Sequence, residues 1–201
     1  MLSLPRMGTY LPDVLSVSEI DKIIAVIDRS KPEGERNLAI IETMYACGLR
    51  VSELVGLHLS DLHLDRNFIR VRGKGNKERL VPIHPKAQKL VESYIKHIRN
   101  HLEIDPKYSD ILFLNRRGKS LSRQMIFIML KDLAARAGIH KNISPHTLRH
   151  SFATHLVQGG ADLRVVHELL GHESILTTEI YSHLDQGDLR KTVLKFLPRD
   201  K

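Results

Sequence analysis

The sequence predicts a mainly α-helical domain carrying a small antiparallel β-sheet, an α+β fold, on three observations. Most of the chain has apolar residues at three- and four-residue spacing behind hydroxyl or carboxylate caps. One stretch departs from that period: Phe68-Ile-Arg-Val-Arg72 and Glu78-Arg-Leu-Val-Pro82 are short runs rich in β-branched residues around the glycine-containing turn Gly73-Lys-Gly-Asn-Lys77. No repeat, low-complexity tract or internal linker divides the 201 residues.

Met1 to Leu15, with Pro5, Gly8 and Pro12, reads as a linker. Ser16-Val-Ser-Glu19 has the spacing of a capping box, and a helix is expected from there to about Asp28. Lys31-Pro-Glu-Gly34 is expected to break the chain before a second helix, Arg36 to Ala46, closed by Gly48. A short third helix follows from Arg50 to Leu57, then the hairpin. Pro85 opens a helix to about Leu102, Ile111 to Leu114 is an expected edge strand, and Asn115 to Lys119 is a basic turn. Ser122 caps a helix to about Ala137, closed by Gly138. Ser144-Pro145 introduces another, His146 to about Val157, and Asp162 caps one ending at Gly171. Two short helices complete the chain, one holding Tyr181 and one from Asp188 to Phe196.

Composition narrows the partners. Lys and Arg number 31 against 23 acidic residues, a net charge of +8. The sequence pI near 9.7 makes nucleic acid the leading candidate. No run approaches the roughly 18 apolar residues of a membrane helix, and Met1 to Pro12 lacks the apolar core of a secretory signal. The single cysteine, Cys47, excludes a disulfide framework and fits a reducing, cytoplasmic setting. Twelve histidines raise the question of a metal. His146 and His150 have the i, i+4 spacing of a zinc-binding helix, but Thr147 stands where the glutamate of that motif belongs, so no metal site is expected. His150 and His155 are read as packing residues.

Several residues could handle an anion. His146 and Arg149 share a face at a helix start, where free N–H groups and the helix dipole favour negative charge. A guanidinium suits phosphate because its planar fork donates two bonds. Arg50 and Glu53 are three apart, so the carboxylate can hold the guanidinium. Arg66, Arg70, Arg72, Lys74, Lys77 and Arg79 crowd fourteen residues with one intervening acid, Glu78, as in a hairpin that follows a DNA groove. Tyr181 stands nine residues after His172, and a phenol attacks phosphate only where its proton is removed and the developing charge is matched by donors.

Together, five stretches resemble the catalytic domain of the tyrosine recombinases, especially the Xer type that resolves bacterial chromosome dimers. They are Gly48-Leu-Arg-Val-Ser-Glu-Leu-Val-Gly-Leu57, Gly73-Lys-Gly-Asn-Lys-Glu-Arg-Leu-Val-Pro82, Ser144-Pro-His-Thr-Leu-Arg-His-Ser-Phe-Ala-Thr-His155, Leu169-Leu-Gly-His172 and Thr177-Thr-Glu-Ile-Tyr181. The resemblance implies that family's catalytic-domain fold and six catalytic residues: Arg50, Lys74, His146, Arg149, His172 and Tyr181. Tyr181 would attack the scissile phosphate, Arg50 and Arg149 would hold its non-bridging oxygens, and Lys74 would protonate the leaving 5′-oxygen. His146 would assist proton transfer from Tyr181, His172 would support the phosphate, and Glu53 would orient Arg50. Arg70, Arg72, Lys77, Arg79, Arg116, Arg117, Lys119 and Arg123 are the expected DNA contacts.

The same resemblance implies no cofactor and no metal. It implies double-stranded DNA bearing a recombination site as partner, with recombinase subunits in a homo- or hetero-tetramer, and a DNA translocase as a further candidate. It divides the chain into a linker, 1–15, a catalytic domain, 16–186, and a C-terminal helix or tail, 187–201, that the family passes to a neighbouring subunit. Leu189, Val193, Leu194, Phe196 and Leu197 are the tail's apolar anchors. The family's N-terminal core-binding domain is missing from this sequence, which is expected to be a truncated chain. A mobile-element or phage integrase is the alternative within the family, and an inactive DNA-binding accessory protein the alternative outside it.

Overall fold

The computed structural model describes residues 13–171 and 186–198; within them lie eight α-helices and one three-stranded sheet. The first helix, α1 (Val17–Ala25), starts as expected: Ser16 Oγ accepts from the Glu19 amide at 3.1 Å and Glu19 returns the bond to the Ser16 amide at 2.8 Å. It ends before Asp28, whose carboxylate instead accepts from the Ser30 amide at 3.1 Å and turns the chain. The next helix, α2 (Pro32–Cys47), begins four residues earlier than expected. Pro32 was read as a breaker but occupies the first turn, where its missing N–H has no partner to lose. Gly34 is needed there because a Cβ would lie 1.9 Å from the Asp28 carbonyl oxygen.

Helix α2 is the centre of the molecule, with every residue from Leu38 to Cys47 buried. Its side chains Ile40, Ile41 and Met44 are fully enclosed, and each contributes about 1.5–3 kcal/mol of hydrophobic stabilisation. Gly48 ends it at φ +61°, packed so closely that a Cβ would meet the Phe152 ring at 2.4 Å. That reversal sends Leu49 into the core and brings Arg50 to the head of α3 (Val51–Val55). The sheet follows: β1 (Leu62–His63), β2 (Phe68–Arg72) and β3 (Glu78–Pro82), antiparallel in that order. The expected hairpin has Arg72 opposite Glu78 and Val71 opposite Arg79. Gly75 and Asn76 take left-handed backbone in its turn. The two-residue β1 carried no sequence signal.

Helix α4 (Pro85–His97) stops short of Leu102 because the chain breaks at Ile98 and turns Arg99 inward. The Arg99 guanidinium bonds the carbonyls of Ser109 at 2.6 Å, Ile111 at 2.8 Å and Leu112 at 3.1 Å. This is also why Ile111 to Leu114 is not the edge strand expected: a side chain takes those carbonyls, leaving single bridges from His58 to Ile111 and from Leu114 to Ser120. Helices α5 (Arg123–Arg136), α6 (Pro145–Gln158) and α7 (Leu163–Leu170) match the sequence reading to within a residue or two. The last helix is α8 (Gln186–Phe196).

α2 packs mainly on α4 and α6, and α8 lies against β3, α6 and α7 of its own chain. Of the expected tail anchors, Leu189, Val193 and Leu197 are buried there and Leu194 and Phe196 half-buried. At the other end Leu15, placed by sequence in the linker, is fully buried and donates its amide to Ser151 Oγ on α6 at 2.9 Å. Among the described residues no helix is long and apolar enough to cross a membrane.

Candidate active site

Three segments meet where α2 ends, α6 begins and α7 ends. Arg149, one turn into α6, is 7% exposed. It donates Nη1 to the Gly48 carbonyl and Nη2 to the Leu170 carbonyl, both at 2.6 Å. It therefore stitches together the ends of α2 and α7 while using two of its five N–H donors. Burial lowers its pKa to about 10, helped by the nearby positive charges of Arg50 and Arg79 and opposed by Glu53. It remains charged at neutral pH.

Glu53 is the anion beneath this cluster, with a side chain 1% exposed. Oε2 accepts the Arg50 backbone N–H at 2.8 Å, and Oε1 accepts Arg50 Nη1 at 3.0 Å. The Arg79 fork closes on the same carboxylate at 2.6 and 3.1 Å, and Arg149 Nη1 stands 3.9 Å from it. Burial would raise the Glu53 pKa, but the bonds and charge of Arg79, the Arg50 amide and the charge of Arg149 lower it overall. The arrangement holds three guanidinium groups over one carboxylate.

A cleft of about 870 Å³ opens beside the cluster, lined by Arg50, His146, Arg149, His150, His167 and Leu170 among others. The Arg50 side chain is 34% exposed to it. His146 is exposed at the α6 N-terminus and also borders a second groove with Arg123 and Phe127. Lys74 is exposed in the hairpin turn. Gly73, beside it, packs on the Arg79–Glu53 pair, its ideal Cβ position lying 3.8 Å from Glu53 Oε1 and 3.9 Å from Arg79 Nη1.

The structure thus gathers Arg50, Glu53, His146 and Arg149, with Arg79 in the same cluster and Arg123 on the neighbouring groove. It places Arg79 inward rather than on the hairpin surface, 16% exposed, with Nε on the Leu169 carbonyl at 3.3 Å. Arg70 and Arg72 instead meet Asp61, each at 3.0 Å, and Arg72 also bonds Glu78 at 3.1 Å. Lys77 is exposed in the turn. Arg116, Arg117 and Lys119 lie elsewhere. The Arg36 guanidinium bonds the Leu114 carbonyl at 3.2 Å, so that turn sits at the Pro32 end of α2, while Arg50 follows the Cys47 end. A helix of that length separates the two by roughly 22 Å. His172 and Tyr181 fall outside the described residues.

Of the two histidines read as packing residues, His155 is buried, with Nδ1 2.7 Å from Tyr45 Oη, whereas His150 is exposed on the cleft. His150 was legible from its four-residue spacing to His146, and His167 carried no signal. Among the described residues no group of three His, Cys, Asp or Glu side chains could hold a metal ion.

Fold and arginine cluster together describe a mostly helical domain with surplus positive charge beside an open cleft. The chain belongs to the phage integrase family, whose model matches residues 13–187. It is 51% identical over 195 residues to a tyrosine recombinase XerD of Lacticaseibacillus casei, covering 97% of this chain and 66% of that one. The chain thus spans about two thirds of that relative's length. Among solved structures it is similar to a XerA recombinase, with TM-score 0.74, 35% identity, and coverage of 98% of this chain and 68% of that one. It is also similar to a XerH site-specific recombinase bound to difH substrate in a pre-cleavage complex, with TM-score 0.72, 30% identity, and coverage of 87% and 51%.

Proposed function

We propose that this chain carries the catalytic unit, residues 16–186, of a site-specific DNA recombinase that resolves chromosome dimers in the cytoplasm, on the nucleoid. One observation carries the reading: Arg50 and Arg149 converge on a single buried carboxylate at the mouth of an open cleft. Two fixed guanidinium groups there match the charge that gathers on the non-bridging oxygens of a phosphodiester under attack. The Tyr181 oxygen attacks phosphorus and loses its proton with the help of His146. The bond to the 5′-oxygen breaks, Lys74 protonates that oxygen, and a 3′-phosphotyrosyl link remains. A 5′-hydroxyl of a second strand then attacks the link and releases the tyrosine, so the bond is conserved without nucleotide fuel.

His172 follows directly after Gly171, and the Arg149 bond to the Leu170 carbonyl supports its role at the same phosphate. Lys77, Arg116, Arg117, Lys119 and Arg123 contribute phosphate contacts along the duplex, and Arg70 and Arg72, already held by Asp61, contribute less. The DNA is recombined within a tetramer of recombinase subunits, in which residues 187–201 leave the packing that α8 makes on its own chain and pass to a neighbour, with a DNA translocase as the external activator. The XerH complex with difH, and the XerD name of the relative at 51% identity, favour this reading over a phage or transposon integrase.

The test uses a nicked duplex selected for binding from a random-sequence pool, on which cleavage traps the protein covalently. Wild-type chain is expected to form the adduct in the presence of EDTA. Tyr181→Phe is expected to abolish it with affinity changed less than about threefold, since the phenolic oxygen contributes to the reaction rather than to phosphate binding. Adduct forming at the wild-type rate in Tyr181→Phe removes Tyr181 from the nucleophile's role.

A further inference from the structure

Arg79 is a basic residue of a basic hairpin, yet its guanidinium is not presented to the surface. All three of its nitrogens are engaged: Nη1 and Nη2 grip Glu53 at 2.6 and 3.1 Å, and Nε reaches the Leu169 carbonyl at 3.3 Å. Those partners lie on α3 and α7, while Arg79 itself is on β3. One side chain therefore joins three elements, each leading to a different part of the site. Glu53 holds Arg50 through two bonds. Gly73 packs on the Arg79–Glu53 pair and precedes Lys74 in the chain. Gly171, which caps α7, packs so tightly on Arg79 that an added Cβ would lie 2.9 Å from its Cδ.

We infer that Arg79 is a positioning residue, fixing the Lys74 hairpin and, through Glu53, the Arg50 guanidinium against one another and against the end of α7. The inference rests on the recombinase reading for its kinetic consequence but not for its geometry. A lysine cannot reproduce the connection, because a single ammonium cannot span both carboxylate oxygens and the Leu169 carbonyl. A direct phosphate contact would behave differently. Its loss weakens binding at all sequences and lowers the salt dependence of affinity by about 0.9 per contact.

The test compares wild type with Arg79→Lys and Arg79→Gln on the nicked duplex, measuring adduct formation at saturating DNA, affinity against salt, and amide hydrogen exchange of residues 70–80. The expected result for Arg79→Lys is a cleavage rate at least about tenfold lower, with affinity and its salt slope unchanged. A duplex with sulfur at the bridging 5′ position supplies a leaving group that needs no proton, and should recover part of the lost rate because the displaced Lys74 is bypassed. Hairpin amides should exchange at least about tenfold faster in both variants, while those of α2 do not change. A wild-type rate in Arg79→Lys overturns the inference, as does a defect confined to affinity with a lower salt slope. If wild type forms no adduct, the recombinase reading fails, and the exchange of the hairpin alone decides the place of Arg79: faster exchange supports it and unchanged exchange overturns it.

Discussion

Two buried carboxylates gather five of this chain's arginines, and they do it with opposite charge balance. Glu53 lies under Arg50, Arg79 and Arg149, so one negative charge faces three positive ones. Asp61 receives Arg70 and Arg72, but Glu78 takes a further bond from Arg72, so two acids face two guanidinium groups. His58 adds its ring nitrogen at 3.3 Å and its backbone N–H at 3.1 Å to the Asp61 side. The first cluster keeps a surplus of positive charge beside an open cleft. The second closes on itself on the hairpin, where Arg72 and Glu78 flank the turn. Local acid count, rather than the number of arginines, separates a cluster left with surplus positive charge from one that is neutralised.

The sharpest way to break that contrast is to remove one arginine from each side. Arg149→Ala is expected to slow covalent adduct formation by about a thousandfold, in the range seen for loss of a preorganised donor, with affinity falling far less. Arg70→Ala should leave the rate at saturating DNA within about twofold, because its charge is matched by Asp61 and it stands outside the phosphate pair. Arg149 also satisfies two backbone carbonyls, so thermal melting must show that the rate is read on folded protein. Equal rate defects in the two variants, each per folded molecule, would mean that charge balance does not distinguish the sites.

The sequence told these two clusters apart only in part. Arg50 with Glu53 and His146 with Arg149 were legible as pairs from their three-residue spacing, and only the resemblance to the tyrosine recombinases joined the two pairs into one site. The hairpin was legible from its turn residues. Arg79 was misplaced because alternation along a strand gives a side chain one of two faces without saying what covers either. Its cover is Glu53, 26 positions earlier, and the end of α7, 90 positions later. Arg99 was hidden for the same reason: a helical pattern continued past Ile98, and only the unpaired carbonyls of a distant segment explain why the chain breaks there. Pro32 shows the reverse error, where a strong local signal has two meanings and its position in the turn chooses between them.

The two carboxylates should also contribute unequally to stability. Glu53→Gln leaves the half-buried Arg79 and the buried Arg149 without their anion and should cost about 3 kcal/mol in chemical denaturation, as for breaking a buried ion pair. Asp61→Asn should cost about 1–2 kcal/mol, because Arg72 keeps Glu78 and both guanidinium groups reach solvent. The acid limb reports on Glu53 as well. The folded-state pKa of Glu53 is below its ordinary value of 4.5, so the unfolded chain takes up the proton first as the pH falls. Its contribution is complete above about pH 4.5 and is lost as the pH drops through the depressed folded value. Glu53→Gln should therefore flatten the stability profile below that pH relative to wild type, and an unchanged acid limb would mean that the carboxylate is not held as the geometry indicates.

The smallest effect concerns the exposed cations far from the cleft. Arg117 is exposed, in the turn at the opposite end of α2 from Arg50. If the duplex extends that far, Arg117→Ala lowers the slope of log affinity against log salt by about 0.9 and leaves the saturated cleavage rate unchanged. The same measurement on Arg72→Ala asks whether a guanidinium already balanced by Asp61 and Glu78 still releases a counterion. Because those acids neutralise it before DNA arrives, the expected change in slope is smaller than for Arg117→Ala. A larger change at Arg72 would show that DNA displaces the clasp, and that the charge balance at Asp61 describes only the unbound protein.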